Sequence, residues 1–91
     1  MADRVATARQ LHRKIHVILM EDWDPIGVRG IPEAKDEYDA YASNVYRLLI
    51  HRAPEVELFE YLWWVETKHM GLPGDRQRTQ IIARKLRSLV N

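Results

Sequence analysis

Apolar residues recur every three or four positions along most of this chain, which is the period of an amphipathic helix rather than the strict alternation of a strand. Four segments carry this pattern, and turn-forming residues separate them. The predicted helices run from Asp3 to Asp22, from Glu33 to His51, from Pro54 to Met70 and from Asp75 to Val90. The pattern therefore predicts an all-α fold, a compact bundle of four helices that forms one domain over residues 1–91.

Proline, glycine and aspartate mark the points where these helices begin and end. Asp24-Pro25 ends the first helix, because a residue before proline is pushed out of the α region. Pro32 and Pro54 suit the first turns of the second and third helices. Gly71 is placed to adopt the left-handed conformation after the third helix, and Asp75 is placed to cap the fourth.

The longest interruption of the helical pattern is Trp23-Asp24-Pro25-Ile26-Gly27-Val28, which continues through Pro32. It combines rigid, permissive and large apolar residues, so we expect a packed corner that fixes how the first two helices meet. A buried indole needs a hydrogen-bond acceptor, which a loop carbonyl or the Asp24 carboxylate would provide. Tyr38 and Tyr41 lie on the apolar arc of the second helix, with hydroxyls expected to reach polar groups of the corner. The structural corner is assigned to Trp23, Asp24, Pro25, Gly27, Tyr38 and Tyr41.

The third helix is apolar over more of its surface than a bundle helix needs. Beside its core stripe, Val56, Trp63 and Met70 form a second stripe with a spacing of seven, and Trp64 projects from the other flank. A helix of this kind is either central in the fold or has a partner. Because interfaces are rich in tryptophan and methionine, these four residues are the candidate protein interface, for self-association or for another protein.

Glu66 falls within the apolar part of the third helix. A buried carboxylate must be paired, hydrogen-bonded or protonated. Arg78 and Lys85 border the packed side of the last helix, and either could meet Glu66. We therefore favour a structural ion pair over contact with a ligand.

Charge is segregated along the chain although the net charge is only +1. Residues 1–20 and 61–91 are basic, and residues 21–60 are acidic. The ends can fold back onto the middle, which we favour, or they can leave a basic face exposed for an anionic partner. On that second interpretation, Arg76, Arg84 and Arg87 on one face of the last helix are candidates for binding phosphates or nucleic acid.

The residues offer little support for catalysis or metal binding. His12 and His16 have the i, i+4 spacing of two zinc ligands, but nearby basic residues disfavour a cation, so half-exposed histidines at the edge of the core are favoured. Asp36, Glu37 and Asp39, together with Glu33 and Asp24 of the corner, form an acidic cluster that could hold Mg²⁺ or act as paired carboxylates. Acidic residues in a first helical turn more often stabilise the helix dipole. We predict no catalytic residues, no cofactor and no metal.

Cellular location is inferred from what the chain lacks. It has no cysteine, no recognisable signal peptide and no apolar run approaching about 20 residues, the length that crosses a membrane. A cytoplasmic protein that does not enter membranes is expected.

The corner and the helix after it resemble a family of small uncharacterised bacterial proteins called YugE-like, which is classed as a domain of unknown function. The matching residues are Trp23-Asp24-Pro25-Ile26-Gly27-Val28, Pro32-Glu33-Ala34 and Asp36-Glu37-Tyr38-Asp39-Ala40-Tyr41, with Met70-Gly71-Leu72 as a weaker match. The resemblance implies an all-helical fold and a bacterial cytoplasmic origin. It implies no activity and no site residues, and the arginine-rich last helix lies outside it.

The function that this sequence predicts is a small non-enzymatic protein-interaction module, adaptor-like or inhibitor-like, with self-association through the third helix as one form of it. The alternative is an accessory nucleic-acid-binding protein that uses the basic face of the last helix. A protein partner or a homodimer is therefore expected, and nucleic acid is the less favoured partner.

Overall fold

The computed structural model describes residues 3–23 and 35–90. Four α-helices account for most of these residues: α1 (Asp3–Val17), α2 (Lys35–Ile50), α3 (Glu55–Trp64) and α4 (Arg76–Arg87). Two π-helical turns extend the first and third helices, π1 (Ile18–Trp23) and π2 (Val65–His69), and a 3₁₀ turn, Ser88–Val90, follows α4. The prediction of an all-α bundle of four helices is confirmed.

The helix boundaries follow the signals in the sequence. Pro54 precedes α3 in an extended conformation. Asp75 caps α4 by accepting a hydrogen bond from the Arg78 N–H over 3.1 Å. Gly71 follows π2 with φ +72°, the left-handed conformation predicted for it.

The π turns change which residues face the core. A π turn closes its hydrogen bonds five residues apart rather than four, so it breaks the regular helical stripe. In π1 the consecutive residues Ile18, Leu19 and Met20 are all buried, and in π2 Val65 and Glu66 are both buried. In π1 the turn adds Met20 to the core, a residue that an uninterrupted α-helix would direct away from the stripe of Ile15, Ile18 and Leu19.

Two helix pairs make up the bundle. α1 packs on α2 and α3 packs on α4, while π1 contacts α4 and so joins the pairs. The core lies between them, and its largest fully buried side chains are Trp23, Tyr38, Ile15, Leu19, Leu49, Leu58, Leu62 and Leu86. α2 and α3 touch over a shorter length than the helices within each pair, which leaves a groove between them.

Charged contacts bring the basic C-terminal part of the chain onto its acidic middle, as favoured from the sequence. Lys85 Nζ lies 2.7 Å from Asp22 Oδ2, and the Arg78 guanidinium donates two hydrogen bonds to the Asp22 carbonyl. On the other side of α4, Arg84 Nε lies 3.7 Å from Glu55 Oε2. No described helix is long and apolar enough to cross a membrane.

Candidate functional site

The aromatic residues assigned to the corner form one cluster. Trp23 is 1% exposed, and its ring lies 5.9 Å from that of Tyr38 and 6.1 Å from that of Tyr41. The rings of Tyr38 and Tyr41 are 5.5 Å apart. These three residues therefore pack together as core; the other corner residues, Asp24, Pro25 and Gly27, lie outside the described residues.

A corner group was predicted to accept the hydrogen bond of the Trp23 indole. The acceptor is instead Glu66. Trp23 Nε1 donates to Glu66 Oε1 over 3.0 Å, and the Thr79 hydroxyl donates to the same oxygen over 2.7 Å. The backbone N–H of Asp75 donates to Glu66 Oε2 over 2.6 Å. Glu66 is 2% exposed, so its predicted burial is confirmed. Its carboxylate joins π1, π2 and the start of α4.

The predicted ion pair of Glu66 with Arg78 or Lys85 is wrong. Both basic side chains turn towards Asp22 of π1, and among the side chains of residues 8–23 and 36–90 Glu66 has no basic partner. The reason is geometric. Glu66 faces the first turn of α4, where a backbone N–H and a buried hydroxyl are available, and hydrogen bonds from such groups stabilise a buried carboxylate without a counter-charge. We assign Glu66 a structural role.

The four residues of the candidate protein interface separate into two pairs. Trp63 is half-buried, stacks on Phe59 with ring centroids 5.8 Å apart and contacts the core, as does Met70. Val56 and Trp64 remain 57% and 53% exposed. The structure thus divides the second apolar stripe, and only Val56 and Trp64 are available on the surface of this chain.

Trp64 borders a cavity of about 280 Å³ between α2 and α3, which we call the aromatic cavity. Its lining residues are Glu37, Ala40, Tyr41, Asn44, Tyr61, Trp64 and His69. Trp64 stacks on His69 with centroids 5.8 Å apart, and the His69 ring meets Tyr41 edge-on at 6.0 Å. Tyr41 is therefore shared: it belongs to the buried aromatic cluster and also forms part of the cavity wall.

The aromatic cavity continues into a second one of about 330 Å³, and the two together form what we call the α2–α3 groove. The second cavity is lined by Asn44, Arg47, Leu48, His51, Ala53, Glu57 and Tyr61. Asn44 and Tyr61 belong to both cavities, and Asn44 Nδ2 donates to the Tyr61 hydroxyl over 2.9 Å. This hydrogen bond ties α2 to α3 where the cavities meet.

Sequence reasoning missed the aromatic cavity. Neither Tyr61 nor His69 was among the candidate site residues. The pairing of Trp64 with His69, five positions apart, depends on the π turn, because i and i+5 do not face each other on an α-helix. The spacing of five between two aromatic residues was the only local signal of this pairing.

The hydroxyl of Tyr41 is buried and has no hydrogen-bond partner in the part of the chain that the structure describes. Burial raises the pKa of Tyr41 to about 12, and the neighbouring Glu37 carboxylate and Tyr61 contribute to this rise. Burial likewise raises the pKa of Tyr61, partly offset by the hydrogen bond from Asn44. Both phenols are therefore neutral at physiological pH.

We expect the stability of the folded protein to fall between pH 10 and pH 12 because of Tyr41. In the folded protein its pKa is about 12, above the ordinary value of 10.0, so the unfolded chain loses this proton at a lower pH. Rising pH therefore stabilises the unfolded state relative to the folded state. The full effect is about 3 kcal/mol at most. Denaturant unfolding at several pH values should show a smaller decline for Tyr41→Phe than for wild type. Tyr46→Phe is the control. If the free energy of unfolding of Tyr41→Phe fell with pH as steeply as that of Tyr46→Phe, this assignment would be contradicted.

The three arginines of the candidate anion-binding face make different contacts. The Arg76 guanidinium lies over the rings of Phe59 and Trp63, 5.2 and 5.5 Å from their centroids. Arg76 and Arg84 line one shallow groove, whereas Arg87 lies in another with Arg52. The structure therefore divides the predicted basic face and engages part of it in contacts within the chain.

His12 and His16 both face α2 rather than a common ligand. His12 Nε2 is 3.2 Å from the Ser43 hydroxyl, and His16 Nε2 is 2.8 Å from Asp39 Oδ1. Among residues 3–23 and 35–90, no three histidine, aspartate or glutamate side chains come together as a metal site. Asp36 and Glu37 lie in the first turn of α2, where acids stabilise the helix dipole.

Comparison with protein-family models, with curated proteins and with solved structures finds no match. Relation to the YugE-like family remains a prediction from the residues quoted above, and the site has to be interpreted from its own geometry. Its geometry combines an exposed tryptophan with aromatic side chains from α2 and α3.

Proposed function

We propose that this chain is a small protein-interaction module whose partner docks on the α2–α3 groove, with Trp64 as the anchor. The observation that carries the proposal is the exposure of Trp64 at the mouth of the aromatic cavity. No catalytic step is part of the proposal. Membership of the YugE-like family and a bacterial cytoplasmic location are proposed on the sequence resemblance alone.

Trp64 supports docking because tryptophan is enriched at protein interfaces. It is the largest of the exposed apolar side chains among residues 8–23 and 36–90. Binding energy at interfaces concentrates in a few residues, of which tryptophan, tyrosine and arginine are the commonest. Trp64, Tyr61 and Arg47 all line the groove, so its composition is that of an interface centre.

The groove also offers a recess beside its anchor, which favours a protein segment as the occupant. A projecting side chain of the partner can enter the aromatic cavity while neighbouring residues cover Trp64. Asn44 and Tyr61 keep the cavity walls in place through their hydrogen bond, and a groove that is formed in advance reduces the ordering cost of binding. Both a second copy of this chain and a different protein can present such a segment.

The nucleic-acid alternative has less support. Arg76 is held over two aromatic rings, Arg84 lies near Glu55, and Arg87 faces a different groove. A nucleic-acid site would need these charges on one surface that follows the phosphates. Binding of mixed-sequence DNA or RNA that weakens steeply with salt, and that Arg76→Ala and Arg84→Ala abolish, would favour that alternative.

A peptide-display selection on the purified chain tests the proposal and requires no named partner. We expect enriched peptides to lose about thirtyfold in affinity for Trp64→Ala, since truncating an interface anchor costs about 2 kcal/mol. Calorimetry with the synthesised peptides measures the loss. Light scattering over a concentration series shows whether wild type self-associates and whether Trp64→Ala reverses it.

The matched control is Ile81→Ala. Ile81 is 55% exposed, as open as Trp64, but lies on α4 in the shallow groove of Arg76. This variant should bind the peptides as wild type does. The proposal would be contradicted if the Trp64→Ala and Ile81→Ala variants bound the peptides with equal affinity. It would also be contradicted if no peptides were enriched and both wild type and Trp64→Ala were monomers.

A further inference from the structure

The aromatic cavity has an electrostatic character that goes beyond a generic docking groove. Ring faces carry negative charge density, and the cavity wall includes the aromatic rings of Tyr41, Tyr61 and Trp64. Glu37, the one carboxylate that lines it among the described residues, stands on α2 one helical turn before Tyr41. Apart from His69, no basic side chain among the described residues lines this cavity; Arg47 belongs to the second one. Its walls therefore favour a cation.

The Tyr41 hydroxyl indicates which kind of cation the cavity would bind. Tyr41 is 6% exposed, and its oxygen has no hydrogen-bond partner within the described residues. A buried hydroxyl without a partner costs free energy that a ligand can recover. A neutral phenol oxygen has lone pairs that accept an N–H. The Tyr41 side chain lines this cavity, so a small movement of the cavity wall would open its covered oxygen to a ligand there.

We propose that the aromatic cavity binds an alkylammonium group, of the kind that a lysine side chain of a partner or a free aliphatic amine presents. The alkyl stem lies against Trp64 and Tyr61, the charge faces the rings and the Glu37 carboxylate, and one ammonium N–H reaches the Tyr41 hydroxyl. This inference rests on the proposed function where the source is a partner lysine. It names the chemistry of the group that enters the cavity.

The size of the cavity suits this ligand. A volume of about 280 Å³ is at the small end of ligand sites and accommodates a four-carbon amine rather than a nucleotide or a cofactor. A cation over an exposed ring is attracted only weakly, and more strongly when water is excluded. We therefore expect a free amine to bind weakly, with Kd on the order of 1 mM.

The test is an NMR titration of the full chain with n-butylammonium chloride, which carries the same stem and charge as a lysine side chain. Chloride is held constant with sodium chloride. We expect the indole N–H signal of Trp64, assigned by its loss in Trp64→Phe, to shift with saturation. The indole of Trp23, bonded to Glu66 in the core, is the internal reference and should not move.

Variants of the cavity wall and an uncharged ligand test whether the positive charge of the amine is recognised. Glu37→Gln and Tyr41→Phe should each weaken binding about tenfold, whereas Glu60→Gln, an exposed acid of α3 outside the cavity, should leave it unchanged. n-Butanol, which has the same stem without the charge, should give no saturable shift. Butanol binding as tightly as the amine, or no saturation with the amine in a folded protein, would overturn the inference.

A second arm separates the two sources of the ammonium group. Nα-acetyl-lysine N-methylamide presents the same group on a peptide backbone. Binding at least as tight as that of n-butylammonium assigns the cavity to a partner's lysine, and much weaker binding assigns it to a free amine. Neither titration uses a protein partner, so a negative result removes the cation site and leaves docking through Trp64 to be decided by the peptide selection.

Discussion

Replacing Glu66 with alanine is expected to lower the free energy of unfolding by about 3 kcal/mol. The change leaves the indole N–H of Trp23 buried without an acceptor and removes the bonds from Thr79 and from the Asp75 N–H. Each buried donor left unsatisfied costs about 1–3 kcal/mol. Relief from burying a charge offsets part of the loss. Chemical denaturation monitored by circular dichroism measures the change.

Glu66→Gln separates the hydrogen bonds from the charge. Its amide oxygen can still accept from Trp23 and Thr79, but its NH₂ group would then face the Asp75 N–H, which is now 2.6 Å from Glu66 Oε2. We expect a loss about half that of Glu66→Ala. Glu60→Ala, an exposed change on the same helix, should stay within about 0.5 kcal/mol of wild type. A Glu66→Ala protein as stable as Glu60→Ala would show that this network contributes nothing.

Gly74→Ala is expected to destabilise the fold by about 2–3 kcal/mol for two separate reasons. Gly74 has φ +83°, which disfavours any residue with a Cβ. A Cβ there would also lie 2.7 Å from Trp63 Cη2 and 2.8 Å from Thr67 Cγ2. The indole cannot yield easily, because it is stacked on Phe59 with Arg76 over it.

Gly71→Ala is the matched comparison for this packing effect. Gly71 has nearly the same backbone conformation, φ +72°, but no atom lies within 4 Å of the position that an alanine Cβ would take. Gly71→Ala should therefore lower the free energy of unfolding by only about 1 kcal/mol, which is the strain of the left-handed conformation. Thermal unfolding of both variants measures the difference, which we expect at several degrees. Equal losses at the two glycines would mean that Trp63 adapts freely to the added methyl group.

The sequence by itself determined the helices and most of what ends them. The hydrophobic period placed four helices, and Pro54, Gly71 and Asp75 took the boundary roles predicted for them. These features are local, since a periodic stripe, a capping carboxylate and a left-handed glycine depend on neighbours within one or two turns. Burial of Glu66 also followed from its position on the helix.

Partners across helices were decided by the tertiary structure alone. Periodicity indicates which face of a helix is covered but not what the neighbouring helix presents to it, so Glu66 was matched with the wrong groups, and the adjacent residues Trp63 and Trp64 could not be separated. The two π turns rotated the chain beyond the regular period and brought His69 beside Trp64. The aromatic cavity exists because α2 and α3 diverge around Tyr41 and Tyr61, and that divergence is a property of how the two helix pairs pack.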